Sequence, residues 1–168
     1  CITGAGHISG GHFNPAVTLV LAWDGAFAWP DVPATVAAQF AGAVLGVWLA
    51  HLMFDLPILQ VSERTRTGLG QWTGEIVATF GLVALILSGS RHSPSTLPGA
   101  VAAYITGAYW FTSSTSFANP AVTVARALSN SFAGIAPADV PGFVVAQAIG
   151  AALALATMLR LLATPHRS

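Results

Sequence analysis

The chain has 168 residues, 7% of them charged and 54% hydrophobic, and its six basic and six acidic side chains cancel. An ordinary soluble surface carries about a quarter charged residues, so this composition excludes one and points to a membrane protein. Zero net charge without a basic cluster gives no footing for nucleic acid, and one cysteine, Cys1, excludes an internal disulfide or a cysteine metal site.

In chain order the first signal is "HFNPAVTLVLAW", 12–23. From Asn14 an apolar run of about ten residues leads to Asp24 and Gly25, and as a helix it would span about 15 Å, half the hydrocarbon thickness. The residue types suit a helix that starts inside a bilayer. Asn is a favoured N-cap, and Pro is favoured at the first helical position because its missing N–H would have no intrahelical partner there. Lipid offers no partner to the backbone at such a start, so Asn14, Pro15 and Ala16 predict a protein-lined or water-filled cavity around them. With its oxygen engaged in the cap, the Asn amide NH₂ is predicted to be a free donor beside the positive end of the helix dipole.

Longer apolar stretches follow at about 33–54, 72–90, 97–115 and 141–163, each near the ~20 residues that a spanning helix needs. Pro33 opens the first, and Asp55 with Pro57 closes it; "SERTRTG", 62–68, reads as a loop. Arg91, His92 and Pro94 close the second, Pro98 opens the third and Pro141 opens the fourth. Small residues recur in "AAQFAGAVLG" and "AQAIGAALALA", which lets helices pack closely in a bilayer. Glu75 has two readings: an ionisable group at membrane depth that faces the interior with a partner, or an interfacial residue beside Trp72.

Before the last stretch, "SFANPAVTVARAL", 116–128, repeats Asn-Pro-Ala-Val-Thr, so Asn119, Pro120 and Ala121 predict a second half-helix. Gln39 follows Asn14 by 25 residues and Gln147 follows Asn119 by 28, which marks an internal duplication of 1–55 by 72–168. The stretches 72–90, 97–115 and 141–163 give the second copy an odd number of spans. Successive copies then enter the membrane from opposite faces, the inverted-repeat design of many transport proteins.

"SGGHFNPAVTL" and "SFANPAVTVA", with the helices between them, resemble the aquaporin or major intrinsic protein family over essentially the whole chain. The resemblance implies an all-α membrane protein, one channel domain over 1–168, with two re-entrant half-helices and six spans in a full subunit. About four complete spans are present here, so the chain is expected to lack the first span and most of the second. The resemblance further implies a homotetramer among membrane lipid in the plasma or inner membrane, passing water and small neutral solutes, with no cofactor, no nucleic acid and no enzymatic step.

Residue by residue, Asn14 and Asn119 match the family's midplane donors. Backbone carbonyls of Gly10, Gly11 and His12, and of Thr115, Ser116 and Phe117, would form the facing wall. By the same likeness Glu75 and Gln39 hold the loop before the second half-helix, and Gln147 serves the first. The selectivity constriction falls on Gly107, Ser116 and Val122, with Val122 standing where most members carry Arg. Arg126, one turn further on, either returns positive charge to the mouth or extends to the interface. So small and aliphatic a constriction favours larger uncharged solutes: glycerol-like polyols, urea, or neutral metalloid acids such as arsenite. The alternatives are a strict water channel and a non-conducting structural relative. His7 and His12, without a third ligand, do not make a metal site and are expected to form structural hydrogen bonds.

Overall fold

The computed structural model describes residues 11–163, and within them every regular element is helical. In chain order these are α1 (Pro15–Trp23), α2 (Val32–Met53), α3 (Leu69–His92), α4 (Leu97–Phe111), α5 (Pro120–Arg126) and α6 (Val140–Ala163).

The two short helices start as their letters dictate. Asn14 (φ −144°, ψ 117°) and Asn119 (φ −157°, ψ 114°) are extended, and the side-chain oxygen of each accepts N–H groups of the first turn. Proline follows in both, where its missing donor costs nothing. With 9 and 7 residues, α1 and α5 reach about 14 and 11 Å, too short to cross a bilayer.

The long helices α2 and α6 also begin alike. Short 3₁₀ turns, Trp29–Asp31 and Pro137–Asp139, run into Asp-Val-Pro in both copies, so the duplication reaches further back than the A-Q-x-x-G letters. Among the described residues three helices are long and apolar enough to span, with mean hydropathy of 1.6 for Trp29–Met53, 1.5 for Leu69–His92 and 1.9 for Pro137–Leu161. The stretch predicted over 97–115 is shorter: α4 has 15 residues, about 22 Å. It stops at Phe111: Thr112 still gives both its N–H and its hydroxyl to the Ala108 carbonyl, at 3.1 and 2.7 Å, but its backbone turns extended (ψ 143°). From there the chain leaves the helix towards α3.

α3 is the hub. On one side Gly150 of α6 lets the two backbones approach, so that a Cβ at this position would stand 2.5 Å from the Ile76 carbonyl oxygen. On another side Gly81 receives the Tyr104 ring, whose hydroxyl donates to Ala78 O at 3.0 Å. Ala78, Leu82, Val83 and Leu87 form the core with Val17 and Val20 of α1 and Ala151 and Ala154 of α6. Leu45, Leu49 and Leu52 on α2 and Leu153 and Leu161 on α6 point outwards, as faces turned to hydrocarbon do.

Two contacts set the topology. Arg91 Nη2 donates to both oxygens of Asp24, at 2.7 and 2.8 Å, which places the end of α1 at the end of α3. At the start of α3 the preceding loop reaches the end of α5, where Ser62 N donates to Ala127 O at 2.9 Å. The half-helices therefore leave towards opposite ends of α3 while their starts meet: the fold is the all-α inverted repeat with two re-entrant half-helices.

Candidate channel site

The half-helix starts are joined reciprocally. Asn14 Nδ2 donates to Ala118 O at 2.7 Å, and Asn119 Nδ2 donates to Phe13 O at 2.9 Å. This corrects the expectation of a wholly free amide donor, since each NH₂ gives one hydrogen to the opposite box and retains one. The carbonyl just before each N-cap has no helical partner and at this depth must find one, and the meeting of the two starts supplies it.

Four residues into each helix, the Thr18 and Thr123 hydroxyls donate back to Asn14 O (3.1 Å) and Asn119 O (2.8 Å). Each threonine oxygen in turn accepts from a glutamine, Thr18 from Gln39 at 2.8 Å and Thr123 from Gln147 at 2.8 Å. Gln39 also donates to His12 O at 3.1 Å. The expected assignment of Gln39 to the second half-helix and Gln147 to the first is therefore exchanged. Each short connection brings the following span back along its own half-helix, so each glutamine serves its own repeat.

Glu75 takes the interior alternative, not the interfacial one, and has no exposed surface. Its Oε1 accepts from Phe117 N and its Oε2 from Ala118 N, both at 2.8 Å, and Oε2 also accepts from Gln147 Nε2 at 2.6 Å. These bonds hold an unusual loop. Thr115, Ser116 and Ala118 have φ of 61°, 50° and 47°, left-handed values that cost a side-chain-bearing residue roughly 1–2 kcal/mol each. Among the described residues, the carbonyls of Thr115, Ser116 and Phe117 accept no hydrogen bond. On the first repeat the His12 carbonyl is already engaged by Gln39. Gly10 and His7 lie outside the described residues. The His12 ring packs at a tilt of 46° against Phe27, centroids 4.6 Å apart, and no cluster of three metal-ligating side chains occurs among the described residues.

Of the constriction residues, Ser116 is buried with its hydroxyl unpartnered, and Val122 lies in the first turn of α5 with its N–H 3.3 Å from Asn119 Oδ1. Gly107 lies in α4 beside open space; a Cβ there would meet nothing nearer than Phe111, at 3.8 Å. No hydrogen bond or ring contact joins these three residues to one another. Arg126 turns inwards instead of extending to the interface. Its guanidinium lies over the buried Phe117 ring, 4.2 Å from the centroid, and its Nη1 is buried without a partner.

Arg66 was invisible in the sequence, since nothing in "SERTRTG" separates it from its exposed neighbour Arg64. In the structure it is 5% exposed. Its Nε donates to Gly134 O (2.7 Å), its Nη1 to Ser114 O (3.2 Å) and Thr115 Oγ1 (3.4 Å), and its Nη2 to Phe132 O (3.0 Å). Burial lowers this guanidinium from its ordinary pKa, and Arg64 lowers it further. An apolar groove of about 620 Å³ runs along the other side of the boxes, lined by Pro15, Leu19, Val36, Phe40 and Pro120. Neither asparagine lines it, so it is not the path that the amide donors would serve.

Two capped half-helices meeting start to start inside a bundle of apolar helices define a re-entrant-loop membrane protein, the architecture of a channel. The Major intrinsic protein family model matches residues 1–117. Aquaglyceroporin AqpS of Rhizobium meliloti (strain 1021) is 56% identical over 161 residues, 96% of this chain and 69% of that protein, an alignment long enough to take in both boxes. Aquaporin NIP2-1 of Zea mays is 35% identical over 143 residues, 80% of this chain and 48% of that protein. The glycerol uptake facilitator protein of Bacillus subtilis (strain 168) is 35% identical over 96 residues, 49% of this chain and 35% of that protein. The chain belongs to the Major intrinsic protein family. Membership and the relatives' names indicate a membrane channel, not an enzyme.

Proposed function

We propose that this chain forms a passive channel for water and small uncharged solutes, glycerol-like polyols, urea and neutral metalloid acids such as arsenite among them. The observation that carries the reading is the meeting of the two boxes. Each asparagine retains one amide hydrogen, and the strained loop before the second leaves three carbonyls in a row uncommitted, so a neutral molecule with hydroxyl or amide groups finds both donors and acceptors. The small side chains of Gly107, Ser116 and Val122 favour the larger solutes. The similarity to an aquaglyceroporin and to a glycerol facilitator supports the same choice. The inward Arg126 favours a second reading, a narrower mouth that passes water alone.

In this reading 1–168 is one channel domain, with 1–55 and 72–168 as its repeats, and the protein is a multi-pass homotetramer of the plasma or inner membrane. The test is stopped-flow reswelling of liposomes holding the full chain, in sucrose, glycerol, urea and arsenous acid. Wild type is expected to pass the last three with flux linear in concentration and indifferent to a proton gradient. Val122→Arg should cut glycerol and urea flux about tenfold or more while water flux stays within about twofold. Passage of water alone by wild type, or solute flux unchanged in Val122→Arg, overturns the solute assignment.

A further inference from the structure

Arg66 and Arg126 reach Phe117 from different segments, and their guanidinium carbons stand 5.0 and 4.2 Å from its ring centroid. The two positive charges therefore lie within about 9 Å of each other, near one Debye length at physiological ionic strength. One carboxylate, Glu75, acts on both and offsets part of their charge, which leaves two cations against one anion. Among the described residues Arg91 pairs with Asp24 at the other end of α3; the Glu75 oxygens accept from backbone N–H groups and Gln147, not from a guanidinium; and Asp139 takes the Arg66 backbone N–H at 2.7 Å, not its guanidinium. Charge that is only partly compensated in a buried place is costly, so a pair of such cations beside the pore loop calls for a use. The Arg126 guanidinium makes no hydrogen bond to a described residue, whereas that of Arg66 is pinned to both loops that flank α5.

We propose that Arg66 is a specificity-determining residue carried by the 62–68 loop: with Arg126 it forms an electropositive collar around Phe117 that bars cations from the α5 mouth while neutral solutes pass. The inference rests on the channel reading above. Arg66 acts in two ways. Its donors brace Ser114, Thr115, Phe132 and Gly134, and its charge adds to the field of Arg126.

The test uses the full chain in liposomes with urea and guanidinium, a neutral and a cationic molecule of nearly the same planar shape. Wild type is expected to pass urea and exclude guanidinium. Arg66→Gln, which keeps a donor without charge, should raise the guanidinium-to-urea permeability ratio about tenfold, and Arg66→Lys, which keeps the charge, should hold it within about twofold of wild type. A role confined to bracing would move the two variants together and overturn the proposal. Should Arg66→Gln fail to fold, Arg126→Gln decides: it should leak guanidinium in part, with a residual exclusion that weakens as salt rises. An exclusion indifferent to salt in that variant removes Arg66 from the mechanism. Wild type that passes neither urea nor glycerol overturns the channel reading together with the collar, whereas normal urea flux and full guanidinium exclusion in Arg66→Gln overturn the collar alone.

Discussion

Glu75 shows how one side chain can hold a strained loop at membrane depth. Three donors converge on its two oxygens, and two of them are the backbone N–H groups of Phe117 and Ala118, the residues that lead into Asn119. Removing the acceptor leaves those donors buried and unpaired, at about 1–3 kcal/mol each. Glu75→Leu should therefore destabilise the protein by about 3–5 kcal/mol. Glu75→Gln, which keeps one acceptor oxygen but brings an NH₂ against a donor, should cost roughly half as much. Thermal unfolding in detergent, followed by tryptophan fluorescence, ranks the two; equal losses would mean that these bonds do not hold the loop.

At the scale of elements the same letters do different work in the two repeats. Gly42 and Gly150 each stand three residues after the glutamine of their copy, yet nothing described lies within 4 Å of a Cβ at Gly42, whereas Gly150 rests against the backbone of α3 at Ile76 and Phe80. Backbone cannot rotate aside as a flexible side chain can. Gly150→Ala should thus push α6 from α3 and cost about 1–3 kcal/mol despite alanine's better helix propensity, and Gly150→Leu should cost more. Denaturation midpoints for the pair check this, and an unchanged midpoint in Gly150→Ala would place the close approach elsewhere. The half-helices depend on capping as well as burial: α5 has only 7 residues, below the length at which a helix sustains itself, and Asn119, Thr123 and Gln147 hold its first turn while Ala121 and Ala125 are buried.

At the scale of the whole molecule, the crossed bonds Asn14–Ala118 and Asn119–Phe13 tie the repeats together across 104 and 106 residues of sequence. Asn14→Ala and Asn119→Ala should each lose a cap, about 1 kcal/mol, and free a carbonyl on the opposite box. Because each breaks one side of a shared clasp, the double variant should depart from additivity by about 0.5–2 kcal/mol in a mutant cycle of unfolding energies. Strict additivity would mean that the boxes fold independently. What the amino-acid sequence determined alone was everything that depends on near neighbours: the membrane class from the scarcity of charge, the half-helix starts from Asn-Pro-Ala, the openings of α2, α4 and α6 at Pro33, Pro98 and Pro141, and the duplication that carries the family resemblance. Only the tertiary structure decided that Gln39 and Gln147 serve their own repeats, that α4 stops at Phe111, that the asparagine amides are half engaged, and that Arg66 and Arg126 share Phe117. Capping and hydrophobic length are settled within a turn or a window of residues. A hydrogen-bond partner dozens of residues away is settled by how helices pack, and no local pattern in "SERTRTG" or "AAQFAG" records that packing.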